Sequence, residues 1–156
     1  MTTEALNFKI GVSGTYWSKR PEFAIRVNDT EYVRTTISGE SGSVETHEFS
    51  VDLPEGPAVL AVVLLNKADG DTVTETDADG TWTILQDMLL NIESIIIDDI
   101  DIGNLRHKAS EYVLDTPVVN NGKTITTMRE CVNLGWNGAY KIAFESPFYI
   151  WLLENM

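Results

Sequence analysis

Leu6-Asn7-Phe8-Lys9-Ile10-Gly11-Val12 places an apolar side chain at every second position. That is the period of a strand with one buried face and one wet face. Phe23, Ile25 and Val27 repeat the pattern, and Asn28-Asp29 then supplies a turn into Tyr32 and Val33. Phe49, Val51 and Leu53 alternate again before the stop Pro54-Glu55-Gly56-Pro57. Ala58 to Leu65 is apolar throughout and rich in Val and Leu, which predicts a central strand covered on both faces.

Beyond Leu65 the character changes. Asn66 to Gly80 reads as a long acidic loop, and long loops in compact domains are usually functional or mobile. Ile92 to Ile97 reads as a strand with Asp98-Asp99 as its turn or bulge, while Leu85 to Leu90 could instead form one helical turn. The region from Thr116 onward predicts two hairpins. Asn120-Asn121-Gly122 would turn the first, and Asn137-Gly138 would turn the second. A three-residue loop in the second pairs Trp136 with Tyr140, Leu134 with Ile142 and Val132 with Phe144, so that all six share one face. Phe148 to Leu153, apolar on both faces, is expected as a last strand that closes the core. The C-terminal aromatics Trp136, Tyr140, Phe144, Phe148, Tyr149 and Trp151 read as core. The expected fold is all-β: an antiparallel, jelly-roll-like β-sandwich of roughly eight to eleven strands, with C-terminal hairpins completing the core. It forms one domain over residues 1–156.

Composition excludes several functions. The 156 residues carry 24 acidic against 11 basic side chains, a net charge of −13. Such a surface repels phosphate backbones and anionic bilayers, so neither nucleic acid nor membrane is an expected partner. The longest apolar run, Ala58 to Leu65, is far short of the ~20 residues of a spanning helix. Met1-Thr2-Thr3-Glu4 lacks the basic start and apolar run of a signal peptide, and Cys131 is the sole cysteine. Cytosolic synthesis without an intrachain disulfide is the expectation. The sequon-like Asn28-Asp29-Thr30 is then simply a turn.

Catalytic signatures are missing, and a non-enzymatic role is expected. His47 and His107 have no paired zinc spacing. Gly39-Glu40-Ser41-Gly42-Ser43 lacks the closing glycine of a nucleophile elbow and reads as a polar tip. Acids are plentiful, but no pair stands out for sugar hydrolysis. Between Asn66 and Asp101 there are ten acidic residues and one lysine. Glu75 and Gln86 spoil a helix-loop-helix calcium loop at its first and twelfth positions. A strand-loop calcium site using some of Asp69, Asp71, Asp77, Asp79 and Asp87 stays open beside a solvated loop without metal. Tyr16 and Trp17, flanked by turn residues, could stack on sugar rings, as could Trp82 beside the acidic stretch. Buried strand-end aromatics are the alternative for Tyr16 and Trp17.

Residues 6–102 resemble the small calcium-dependent, xylan-binding β-sandwich carbohydrate-binding modules. The likeness is carried by Gly14-Thr15-Tyr16, by Pro21-Glu22-Phe23-Ala24-Ile25-Arg26-Val27-Asn28-Asp29, by Val59 to Leu65 running into Asn66, and by Gln86-Asp87-Met88-Leu89-Leu90-Asn91-Ile92. It implies calcium held by Asp69, Asp71 and Asp87. Residues 103–156 form an extension. Its segments Cys131-Val132-Asn133-Leu134-Gly135-Trp136-Asn137-Gly138 and Ser146-Pro147-Phe148-Tyr149-Ile150-Trp151-Leu152-Leu153-Glu154-Asn155 are similar to the C-termini of small virion structural proteins of tailed cyanobacterial phages. That resemblance implies a decoration, knob or fibre-associated subunit located in the virion. Its partners would be other virion proteins and host-surface polysaccharide, with many copies or a homo-oligomer on the particle. The rival reading is a stand-alone or enzyme-appended glycan-binding module.

Overall fold

The computed structural model describes residues 3–120 and 122–156. Asn121, in the expected Asn120-Asn121-Gly122 turn, lies outside the described residues, as do Met1 and Thr2.

The alternating N-terminal stretch forms β1 (Thr3–Thr15), with Leu6, Phe8, Ile10 and Val12 buried. β2 (Glu22–Val27) and β3 (Thr30–Thr36) form a hairpin around Asn28-Asp29, and both turn residues take positive φ. Asn and Asp tolerate that conformation better than other side chains do. β4 (Val44–Pro54) and β5 (Gly56–Leu64) follow. Next come a 3-10 turn (Asp69–Asp71), β6 (Val73–Thr76), β7 (Trp82–Gln86), β8 (Leu89–Ile97) and β9 (Ile100–Asp101). A short helix α1 (Leu105–Lys108) leads to β10 (Ser110–Asn120), β11 (Lys123–Arg129), β12 (Asn133–Leu134), β13 (Gly138–Ser146) and the helix α2 (Phe148–Asn155).

Two antiparallel sheets face each other across one core. The first has the order β12-β8-β1-β4, with β9 on β8; the second runs β11-β10-β13-β5-β2-β3. The all-β sandwich expected from the alternation is the fold observed. β5 is a central strand between β13 and β2, and both its inward Leu60, Val62 and Leu64 and its outward Ala61 and Val63 are buried. In the first sheet β1 meets β8 so closely that a Cβ on Gly11 would lie 2.4 Å from Ser94 Oγ. The register shifts between Gly11 and Val12 at that point.

Several expectations are corrected. The Asn66–Gly80 stretch is not a loop throughout, because β6 and β7 pair as a separate two-stranded ribbon. The supposed helical turn at Leu85–Leu90 is therefore extended chain. The second C-terminal hairpin does not form: β12 pairs with β8 in the first sheet, whereas β13 pairs with β10 and β5 in the second. Leu134 and Tyr140 both reach the core, but from facing sheets, and Trp136 is left exposed at the crossing between them. Alternation alone cannot say whether two apolar runs bury against the same sheet or opposite ones.

The last expected strand is the helix α2. It buries Phe148, Trp151 and Leu152 at i, i+3 and i+4, and leaves Tyr149, Ile150 and Leu153 outside. Trp151 packs on Phe144 with ring centroids 6.1 Å apart, closing one end of the sandwich. The helix start is held by Glu4, whose carboxylate accepts from the Phe148 amide at 2.9 Å and from the Ser146 hydroxyl.

Candidate functional site

At the other end the ribbon β6–β7 stands away from both sheets and forms one wall of a cleft of about 830 Å³. Its tip is organised by Asp77, whose carboxylate accepts the amides of Asp79 at 2.9 Å and Thr81 at 3.0 Å. Trp82 and Ile84 alternate along β7, and Ile84 lies opposite Thr74 in the ribbon register. All three line the cleft.

The opposite wall comes from Thr116-Pro117-Val118 of β10 and from the sheet-to-sheet crossing Asn133–Asn137. The crossing is firmly seated. Tyr112, fully buried, accepts the Trp136 amide at 3.0 Å and donates its hydroxyl to the Trp136 carbonyl. Burial pushes that phenol well above its ordinary value, outweighing the hydrogen bond to Trp136, so it stays protonated and able to donate. Immediately after, Gly138 packs directly against β10, where a Cβ would lie 2.4 Å from the Val113 carbonyl oxygen. The Trp136 side chain is thereby presented outward, 42% exposed.

Lys67 ties the two walls together. Its amide donates to Asn137 Oδ1 at 2.7 Å, and Asn137 Nδ2 returns a bond to the Lys67 carbonyl at 2.9 Å. Its ammonium reaches Asp87 Oδ1 at 2.7 Å and the Met88 carbonyl at 2.6 Å. The same Asp87 oxygen also accepts from the Thr72 hydroxyl at 2.7 Å and the Met88 amide at 2.8 Å. Burial acts to raise the Asp87 carboxyl, but the Lys67 ammonium, the Thr72 hydroxyl and the Met88 amide outweigh it and hold the pKa below the ordinary carboxylate value.

The candidate residues read from the sequence are scattered differently. Trp82 lies in the cleft, 63% exposed. Trp17 is not among the residues that line it; it is 44% exposed and donates its indole N–H to the Asp71 carbonyl at 2.9 Å. Tyr16 is half-buried: its hydroxyl donates to the Gly39 carbonyl at 2.9 Å, and the Arg20 guanidinium sits 5.2 Å from its ring centroid. Asp69 and Asp87 line the cleft. Asp71 is buried, with its carboxylate accepting from the Lys19 ammonium and the Ala68 amide at 2.7 and 2.8 Å. Burial works to raise the Asp71 carboxyl as well, but these two partners, aided by the charge of Lys67, keep it low.

From the sequence Trp136 reads as core and Asn137 as a turn residue, and Lys67 carries no site reading; the structure places all three at the cleft. One signal for Trp136 was available: Gly135-Trp136-Asn137-Gly138 is flanked by turn residues, as Tyr16-Trp17 is.

Calcium takes six to eight oxygens at about 2.3–2.6 Å. Among the described residues, no three His, Cys, Asp or Glu side chains converge as a metal-binding group. Asp71 and Asp87 each carry a lysine ammonium at 2.7 Å instead. These donors do not fit a calcium cage as they are arranged.

No family profile matches the chain, and no curated protein does. Two solved structures are similar to it. One is a selenomethionine form of vCBM60, from work linking two families of calcium-dependent carbohydrate binding modules by circular permutation; its TM-score is 0.55 at 12% identity, covering 88% of this chain and 89% of that one. The other is vCBM60 in complex with galactobiose, with a TM-score of 0.51 at 13% identity over 89% of this chain and 97% of that one. At such identities the likeness is one of architecture: the chain has the all-β sandwich fold of a carbohydrate-binding module.

Proposed function

We propose that the chain is a non-enzymatic glycan-binding module whose ligand lies in the cleft between Trp82 and Trp136. One observation carries the reading: two exposed tryptophans from separate elements line the same cleft, with the amides of Asn133 and Asn137 beside them. Aromatic faces match the C–H faces of sugar rings, and polar groups then fix orientation. The shared fold of a module solved with galactobiose supports it. The cleft also carries Asp69 and Asp87, Lys67 is already paired, and the chain's net charge is −13, so a neutral polysaccharide suits it better than an anionic one.

The test is retention on a panel of neutral and acidic polysaccharides, with Trp82→Ala and Trp136→Ala as variants. Each substitution should weaken binding about two- to tenfold, the worth of one stacked ring, and leave the melting temperature unchanged. The wild type should release no reducing ends. Retention unaffected by either variant, or turnover abolished by one carboxylate substitution, would sink the reading.

A second reading, a virion structural subunit, is favoured by the outer face of α2. Tyr149, Ile150, Leu153 and Met156 are exposed there, an apolar strip suited to an assembly contact. The sequence resemblance of this same segment to phage virion proteins points the same way. Many copies on a particle would turn a weak site for host-surface polysaccharide into useful avidity. Gold-labelled antibody on purified particles would locate the chain, and particles that never carry label would exclude the role.

A further inference from the structure

The similar modules are calcium-dependent, yet the cleft residues of this chain are arranged around an ammonium group. Lys67 Nζ lies 2.7 Å from Asp87 Oδ1 and 2.6 Å from the Met88 carbonyl. Its side chain is only 9% exposed. An ammonium has three N–H donors, so two are spent here and one remains beside the cleft that Lys67 lines. The backbone on either side of Lys67 Cα is clamped by Asn137 through both its amide and its carbonyl. At Asp71 a second ammonium, that of Lys19, lies 2.7 Å from the carboxylate.

The geometry points to Lys67 as a built-in cation that takes the place of calcium, so that both fold and cleft are calcium-independent. A calcium bonded to Asp87 Oδ1 at about 2.3–2.6 Å would stand within about 5 Å of the ammonium already on that oxygen. Two cations that close in a poorly hydrated site repel strongly. To take Asp87 Oδ1, calcium would therefore have to expel the lysine, breaking its bonds to Asp87 and Met88. The charge that holds Asp87 is supplied by the chain itself, and the backbone of the same lysine fixes the Asn137 crossing that carries Trp136. The spare N–H is a donor for a sugar hydroxyl oxygen, a contact that a metal would make through its charge.

The inference rests on the glycan reading only for that last contact. The first measurement needs no glycan: melting of the wild-type chain in EDTA and in millimolar calcium. The two curves should coincide within about 1 °C. A saturable rise of roughly 5–10 °C, as expected for a dication at a hundred times its dissociation constant on a chain this long, would overturn the inference. The second uses Lys67→Met, which should lower the melting temperature by several degrees in EDTA. Lys67→Met/Asp87→Asn, which removes both charges and keeps an oxygen for Thr72 and Met88, should regain most of the loss. A Lys67→Met chain that melts like the wild type would also overturn it. The third is binding of whichever neutral glycan the panel retains, with galactobiose as the small probe. Equal binding in EDTA and calcium supports the inference. Binding only with calcium defeats it while leaving the module reading intact. No binding in either buffer, with melting indifferent to calcium, defeats the module reading and leaves the built-in cation standing.

Discussion

Gly138 shows how much of the cleft depends on one missing methyl group. A Cβ there would meet the Val113 carbonyl oxygen at 2.4 Å and Leu114 Cα at 3.0 Å, both backbone atoms that cannot swing aside. Gly138→Ala must therefore push β13 away from β10 just where the chain leaves Asn137. Overpacking of this kind costs about 1–3 kcal/mol, so the urea midpoint should fall, and glycan retention should fall with it because Asn137 and Trp136 shift. A variant that folds and binds like the wild type would show that the approach is looser than described. Tyr112, on the same strand β10, grips the Trp136 backbone two residues before Gly138 through both its amide and its carbonyl. In the sequence Gly138 reads as half of an Asn137-Gly138 turn, and Tyr112 does not stand apart from other strand residues.

Among the elements, α2 differs most from its sequence reading. Its buried residues Phe148, Trp151 and Leu152 are spaced for a helix, and Phe148 and Trp151 meet Phe144 of β13 in a cluster of rings about 6 Å apart. Fully burying a large apolar side chain contributes about 1.5–3 kcal/mol, so these three together approach the 5–15 kcal/mol of a whole domain. Truncation after Ser146 should accordingly give an aggregated chain, or one without a cooperative melt. Ile150→Lys and Leu153→Lys, on the exposed face of the same helix, should change stability by no more than about 0.5 kcal/mol. Circular dichroism melts of the three variants would check this, and a soluble, cooperatively melting truncation would show that the helix does not close the core. The ribbon β6–β7 is the opposite case. It is exposed over nearly all its length, so its value to the molecule lies in the wall it builds.

Over the whole molecule, acid should be the weak flank. Asp71 is buried and Glu45 and Asp87 are partly buried, which acts to raise their carboxyls. Hydrogen-bond partners outweigh that burial: Ser38 and His47 at Glu45, Lys19 and Ala68 at Asp71, Lys67 and Thr72 at Asp87. All three therefore have folded pKa values below the ordinary 4.5 for Glu and 3.8 for Asp. The unfolded chain then binds more protons as pH falls, so the stability they contribute is complete above those ordinary values and drains as pH drops through the folded ones. Relief of repulsion from a net charge of −13 acts the other way. At 0.15 M salt, screening over about 8 Å weakens that long-range repulsion more than it weakens buried pairs. Urea midpoints measured at 0.15 M salt should decline as pH falls below about 4.5. The combined Glu45→Gln, Asp71→Asn and Asp87→Asn chain should decline less. A wild-type midpoint that rises over that range would contradict the assignment.

The alternation of Leu6, Phe8, Ile10 and Val12, the doubly apolar Ala58 to Leu64 and the Asn28-Asp29 turn were enough to determine an antiparallel sandwich. Those signals are local: side-chain period and turn chemistry act within a few residues. Trp82 was also legible as an exposed aromatic beside the acidic stretch. What only the tertiary structure decided is which sheet each C-terminal run joins, and hence where Trp136 points. Val132-Asn133-Leu134 and Tyr140 to Phe144 have the same period whether they pair with each other or with opposite sheets. The choice is made by β8 and β5, more than forty residues away in sequence from one or other run. The pairing of Lys67 with Asp87 is of the same kind. A lone lysine in an acidic stretch looks like a solvated charge until the turn at Asp69–Asp71 and the Asn137 crossing close around it, and then a part-buried ammonium and a part-buried carboxylate each become the other's partner.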